Sequence, residues 1–427
     1  MIEKNENIDR LIDSLIRNEF GKMVSVLTKI LGAPNIDLAE DVVQDAIVEA
    51  ISQWTYKGVP ENPKGWLYNV AKYKALNFIK KEKVHQKYSS EVIHFLQFER
   101  TVEPTLNLFF SEQEIEDDQL RMMFTCCNPS ISSDSQIALT LKTLCGFSIA
   151  EIAKAFLTNE ENINKRLVRA RQIIRDNKVA FEVPFGNEFE NRLNSVLETI
   201  YLLFNEGYNA TKGSEMIRFE LCEEAIRLAQ LIADYQKIQQ KTDVWALLSL
   251  MLLNSSRFKS RRTINSEIVE MAKQDRNLWD RDLIKKGIVF LEKSVATGTV
   301  SKYQILAAIS AHHCTAADDK STHWKSILAL YNNLSQIDRS PLVMLNKTIV
   351  VSKVYSVKKA VEELEKMAED PLLQNYPYYH STIGEFYLKL KSRSLALQHF
   401  EKAKAFTQNE QEIIYLEEKI ISCRSGK

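Results

Sequence analysis

Apolar residues recur every three or four positions along most of the chain, and alternating apolar–polar runs are almost absent. This is the period of about 3.6 residues of amphipathic helices, not the period of about two of half-buried strands. Gly and Pro, the usual punctuation of turns, number only 12 and 9, so the periodic windows are long. The pattern predicts an all-α chain. Its breaks fall at "GAPN" (32–35), "KGVPENP" (57–63) and "VPFGN" (183–187). They divide it into a helical segment over 1–90, a weakly periodic stretch over 91–118 read as a linker, a helical block over 119–182 and a long helical region over 183–427.

The polar positions tell the helices apart. Between Ile36 and Ile51 stand Asp37, Glu40, Asp41, Asp45 and Glu49 with no basic residue. Leu38, Val42, Asp45 and Glu49 fall at helical spacing, so an apolar stripe lies beside an acidic one. The like charges at i, i+4 cost an isolated helix a few tenths of a kcal/mol each, so a basic partner is expected. Pro63 then suits the first turn of a second helix, having no N–H to lose. That helix, "PKGWLYNVAKYKALNFIKKEK", carries the opposite charge. From Lys64 to Lys87 there are seven lysines against Glu82 alone, with Trp66, Tyr68, Tyr73 and Phe78 interleaved.

In the third segment, "SIAEIAKAFLTNEENINKRLVRARQIIRD" (148–176) holds two apolar faces joined by "LTN". Ile149, Ile152, Ala153 and Phe156 share one face, and Ile163, Leu167, Ala170 and Ile174 share another, as a helix-turn-helix requires. Thr158 or Asn159 is positioned to cap the second helix, with Glu160 and Glu161 at its positive end. The opposite face carries Asn162, Lys165, Arg166 and Arg169, side chains that pair with base edges, while Arg171, Arg175 and Lys178 suit phosphates.

Ile327-x3-Tyr331-x2-Leu334, Ala360-x3-Leu364-x2-Met367 and Ala396-x3-Phe400-x2-Ala403 recur at offsets of 33 and 36 residues, near the tetratricopeptide period of about 34. Residues 187–300 fit that template poorly.

Composition bounds the reading. At 427 residues and roughly 150 per domain, about three domains are expected. Lys+Arg and Asp+Glu are both 56, so any affinity for nucleic acid comes from local patches. The six cysteines lack disulfide or ligand spacing, as expected of buried thiols in the cytoplasm. The sequence offers no membrane segment. Neither "AHHCTAADDKSTHW" (311–324) nor "GYNATKGSE" (207–215) matches a zinc pattern or phosphate loop, so no metal, cofactor or enzymatic activity is expected.

An acidic helix, a basic-aromatic helix, a linker and a helix-turn-helix, in this order, resemble the sigma-70 superfamily. Specifically, they resemble the extracytoplasmic-function RNA polymerase sigma factors. "DLAEDVVQDAIVEAI" resembles their region 2.2, "NPKGWLYNVAKYKALNFIKK" regions 2.3 and 2.4, and the 148–176 stretch region 4.2. "RMMFTCCNPSISSDSQIALTLKTLCGFSIAEIAKAFL", "YLLFNEGYNA", "LCEEAIRLAQLI" and "QDRNLWDRDLI" resemble the subgroup with a tetratricopeptide-like C-terminal extension.

The resemblance implies promoter recognition and strand opening for core RNA polymerase, without catalysis. Leu38, Asp41, Val42, Asp45 and Glu49 would meet the β′ clamp helices, and region 4 the β flap. Trp66, Lys72, Tyr73, Lys74, Asn77, Lys80 and Lys81 would hold melted −10 DNA. Asn162, Lys165, Arg166, Arg169, Arg171 and Arg175 would serve the −35 element. The acidic linker would thread the RNA exit path, and residues 183–427 would modulate activity, through a peptide or protein ligand, or contact the polymerase. Lys72, Tyr73 and Asn77 depart from the usual arginine-rich start and aspartate, and "LTN" replaces the usual small turn residue. Both departures leave base preference open. Two rival readings are a one-component regulator with a tetratricopeptide-like sensor, and a scaffold without DNA contact; the former leaves the two charged N-terminal helices unexplained.

Overall fold

The computed structural model describes residues 18–81 and 111–425, apart from 157, 185, 209–211, 214–217, 237, 262–268 and 298–299. Residues 91–110 of the expected linker lie outside them. The described residues are overwhelmingly helical and form two compact units, Met1–Leu202 and Leu203–Lys427.

In the first unit, α1 (18–31), α2 (Ile36–Lys57) and α3 (Pro63–Lys81) come first. Met23, Val24, Leu27 and Leu31 of α1, Ala39, Val43, Ala46 and Ala50 of α2, and Leu67, Ala71 and Ala75 of α3 are buried. Gly58 stops α2 with φ 84°, its N–H donating to the Trp54 carbonyl, and Pro63 opens α3 as expected.

The acidic run at 112–118 is not linker. It forms the first turns of α4 (Glu112–Cys126), capped by Ser111, whose hydroxyl accepts from the Glu114 N–H. The reason is local and tertiary together. Acids suit a helix N-terminus, and Asp117 and Asp118 are buried, with Arg121 beside both and Lys29 beside Asp118. Helices α5 (Ser133–Thr143), α6 (Ile149–Ala155) and α7 (Glu160–Asp176) follow.

Helix α8 (Asn187–Tyr208) spans the division between the units. Its first half packs on the first unit: Arg192 donates to the Phe124 carbonyl at 2.6 Å and Thr199 to Gln136 at 2.7 Å. The "VPFGN" break therefore separates helices without separating compact units.

The second unit runs through α9 (Phe219–Asp234), α10 (Thr242–Ser255), α11 (Arg281–Ser294), α12 (Lys302–Thr315), α13 (Trp324–Ile337), α14 (Pro341–Val354), α15 (Val357–Glu365), α16 (Pro371–Gln374), α17 (Pro377–Lys389), α18 (Arg393–Phe406) and α19 (Glu410–Ser425). From α12 onward successive helices share one core. The recurring residues Ile327, Leu334, Ala360, Leu364, Ala396, Phe400 and Ala403 all lie in it, with Tyr331 and Met367 packed against it. The last helices return to the first. Two-residue strands β1 (Lys212–Gly213) and β2 (Gln408–Asn409) pair in parallel, and Lys419 bridges Glu270 and Glu385 at 3.3 and 2.6 Å.

Candidate nucleic-acid interface

Helix α7 starts because Asn159 caps it, accepting from the Asn162 N–H at 2.8 Å. Thr158 instead accepts from the Asn162 side chain at 3.0 Å. Glu160 and Glu161 occupy the first turn, where the helix dipole favours acids. Ile163, Leu167, Ala170 and Ile174 are all buried, so the periodicity fixes which face looks outward.

The outward cations are not equivalent. Lys165 pairs with Glu161 at 2.7 Å and Arg166 with Asp134 at 3.0 Å. Arg169 is exposed and makes no ion pair among the described residues. Arg171 donates to Glu40 at 2.6 Å and Arg175 lies 3.5 Å from Asp37, both carboxylates belonging to α2. Glu40 is 2% exposed; burial pushes its carboxyl up to about 7, with Arg171 and Lys142 opposing. Exposed Asn164 and Val168 complete the face beside Lys165 and Arg169. Sequence reasoning passed over them, although both adjoin selected cations. An exposed valine suits the apolar edge of thymine.

On α2, Asp41 and Asp45 are exposed. Glu49 is half-buried, accepting from Gln53 at 3.1 Å and pairing with Lys74 of α3 at 3.0 Å. The acidic helix thus finds basic relief on its neighbour. Leu38 is half-buried, but Val42 is 6% exposed and belongs to the interior. Of the exposed apolar residues of α2, Val48, 64% exposed, stands with the acidic stripe. It stands three positions beyond Asp45 and seven beyond Asp41, on the acidic face.

On α3, Trp66 is half-buried against Trp54, with ring centroids 5.4 Å apart. Tyr68 is buried, its hydroxyl donating to Glu19 at 2.7 Å. Lys72 is 3% exposed. It sits next to Ala71 on the buried stripe, so its long stem packs inward, and its ammonium lies 5.6 Å from the Tyr73 ring. Tyr73 and Asn77 are exposed. Lys80 and Lys81 end the helix, and their side chains lie outside the described residues.

Residues 15–84 match the family model for Sigma-70 region 2, residues 122–174 that for Sigma-70, region 4, and residues 192–295 a family of unknown function (DUF6596). An uncharacterized protein of Rhizobium meliloti (strain 1021) is 33% identical over 382 residues, covering 90% of this chain and 89% of its own length. No solved structure matches the chain. The two matched regions are the acidic and basic-aromatic helices and the helix-turn-helix just described. The chain belongs to the sigma-70 family and is an RNA polymerase sigma factor that directs promoter-specific transcription initiation, with a C-terminal extension.

Proposed function

We propose that this sigma factor is of the extracytoplasmic-function type, acts in the cytoplasm and has no catalytic activity of its own. Core RNA polymerase and promoter DNA are its partners as a member of the family. The outer face of α2, with Asp41, Asp45, Val48 and Glu49, docks on the β′ clamp helices. Charge there sets rate and register more than affinity. Tyr73, Asn77, Lys74, Lys80 and Lys81 hold melted −10 DNA, the exposed Tyr73 ring stacking on a base. Helix α7 reads the −35 element, with region 4 seated on the β flap. The C-terminal extension is a tetratricopeptide-like regulatory module for a peptide or protein ligand.

The observation that carries the α7 assignment is the exposed guanidinium of Arg169, which makes no ion pair among the described residues and stands opposite a fully buried stripe. Run-off transcription with core polymerase tests it. Arg169→Ala should cost about 1–3 kcal/mol at one base position, whereas Arg175→Ala should weaken all promoters alike. Equal losses across all base substitutions for Arg169→Ala would sink the assignment.

A further inference from the structure

Four ion pairs join α1 and α2 to α4 and α7. Lys29 meets Glu114 at 2.6 Å and Asp118 at 3.8 Å, Arg171 meets Glu40 at 2.6 Å, and Arg175 meets Asp37 at 3.5 Å. Those of Arg171 and Arg175 link region 2 to the reading helix, and those of Lys29 link it to the start of α4, the helix that leads into region 4. The backbones also touch: a Cβ on Gly21 of α1 would lie 2.1 Å from the Leu144 carbonyl oxygen at the end of α5. Lys142 of α5 stands 5.7 Å from the Phe20 ring of α1.

Two of these pairs involve arginines placed for DNA phosphates. A guanidinium binds carboxylate and phosphate through the same forked N–H donors, so Glu40 and Asp37 occupy the chemistry that promoter DNA needs. The contact is also incompletely satisfied. Glu40 Oε1, Asp118 Oδ2 and Arg171 Nε are buried without a hydrogen-bond partner among the described residues. Buried pairs of this kind are specific in geometry but add little net stability. A contact that is specific in position and close to balance in free energy is readily displaced.

We propose that Glu40 and Asp37 hold region 4 closed on region 2 as an intramolecular substitute for promoter phosphate, and that DNA opens the pair by offering phosphates to Arg171 and Arg175. The DNA step rests on α7 being the −35 reader; the closure itself does not.

Both are tested on the full chain labelled with a dye pair through Ser52→Cys and Asn177→Cys, two exposed positions, reading energy transfer. The unsubstituted interface should give high transfer. Combined Glu40→Gln and Asp37→Asn should lower it, and so should Gly21→Ala, which wedges the backbones apart while keeping every charge. Unchanged transfer in both, with unchanged circular dichroism, would overturn closure. Anisotropy with a promoter duplex supplies the second readout. The open carboxylate variant should bind about tenfold tighter, since apparent affinity scales with the competent fraction. Arg171→Ala should open the pair without that gain. Transfer that responds to the substitutions but never to duplex, with no binding by any form, would leave closure standing and remove DNA as the opener together with the −35 reading of α7. Duplex that binds without lowering transfer would overturn the competition while leaving the −35 reading intact.

Discussion

His380 and His399 meet at 3.1 Å between their Nδ1 atoms, while His380 Nε2 donates to the Gln374 carbonyl at 2.8 Å. With both rings held neutral by burial, that bond leaves His380 Nδ1 bare and His399 donates to it. Burial, His380 and Lys402 push His399 down to about 4, against Glu365, and burial lowers His380 as well. A histidine whose folded value lies below its unfolded value of about 6.5 stabilises fully above that value. The contribution is lost as pH falls toward the folded value. Acidification from 6.5 to 4 should therefore lower the opening free energy of α17 and α18, read by hydrogen exchange after correction for the intrinsic rate at each pH, by about 1–3 kcal/mol, the full conversion of about 1.4 kcal/mol per tenfold being discounted for partial solvent screening. His399→Gln should flatten this response, and an equally steep response in that variant would refute it. The rings were not legible as a pair, because they lie 19 residues apart on different helices.

At the scale of elements, α7 was the most legible. Its apolar stripe, acidic first turn and Asn159 cap follow from local periodicity and side-chain-to-backbone geometry. Asn159→Ala should destabilise it by about 1 kcal/mol, and Asn159→Asp should restore most of that. Thermal melts of the two variants check it, and identical melts would place the cap elsewhere. Helix α4 was illegible for the opposite reason. Its acids read as linker by composition, but Lys29, which pairs with Glu114, stands 85 residues away. The outward face of α2 was half legible: the acidic stripe was visible, while the exchange of Val42 for Val48 as its apolar member required knowing which side the bundle covers.

The whole molecule divides inside α8. Residues 1–184 would lose Arg192 from the Phe124 carbonyl and Thr199 from Gln136, leaving buried polar groups unpaired at a cost of about 1–3 kcal/mol each. Residues 1–202 keep both. Calorimetry should show a cooperative transition for 1–202 and a transition lower by roughly 5 °C or more for 1–184, at about 2–4 °C per kcal/mol. Coincident transitions would move the division back to the "VPFGN" break.

Sequence alone determined the all-α class, the helix-turn-helix and the order of acidic, basic-aromatic and reading helices. Those follow from periodicity and charge within a single helix, where neighbours along the chain are also neighbours in space. Tertiary structure alone decided which cations stand free. Arg169 faces outward, Lys72 is drawn into the core, and Arg171 is held by Glu40 from 131 residues away. A charge becomes available or committed according to what packs beside it, and that is fixed only when distant helices meet.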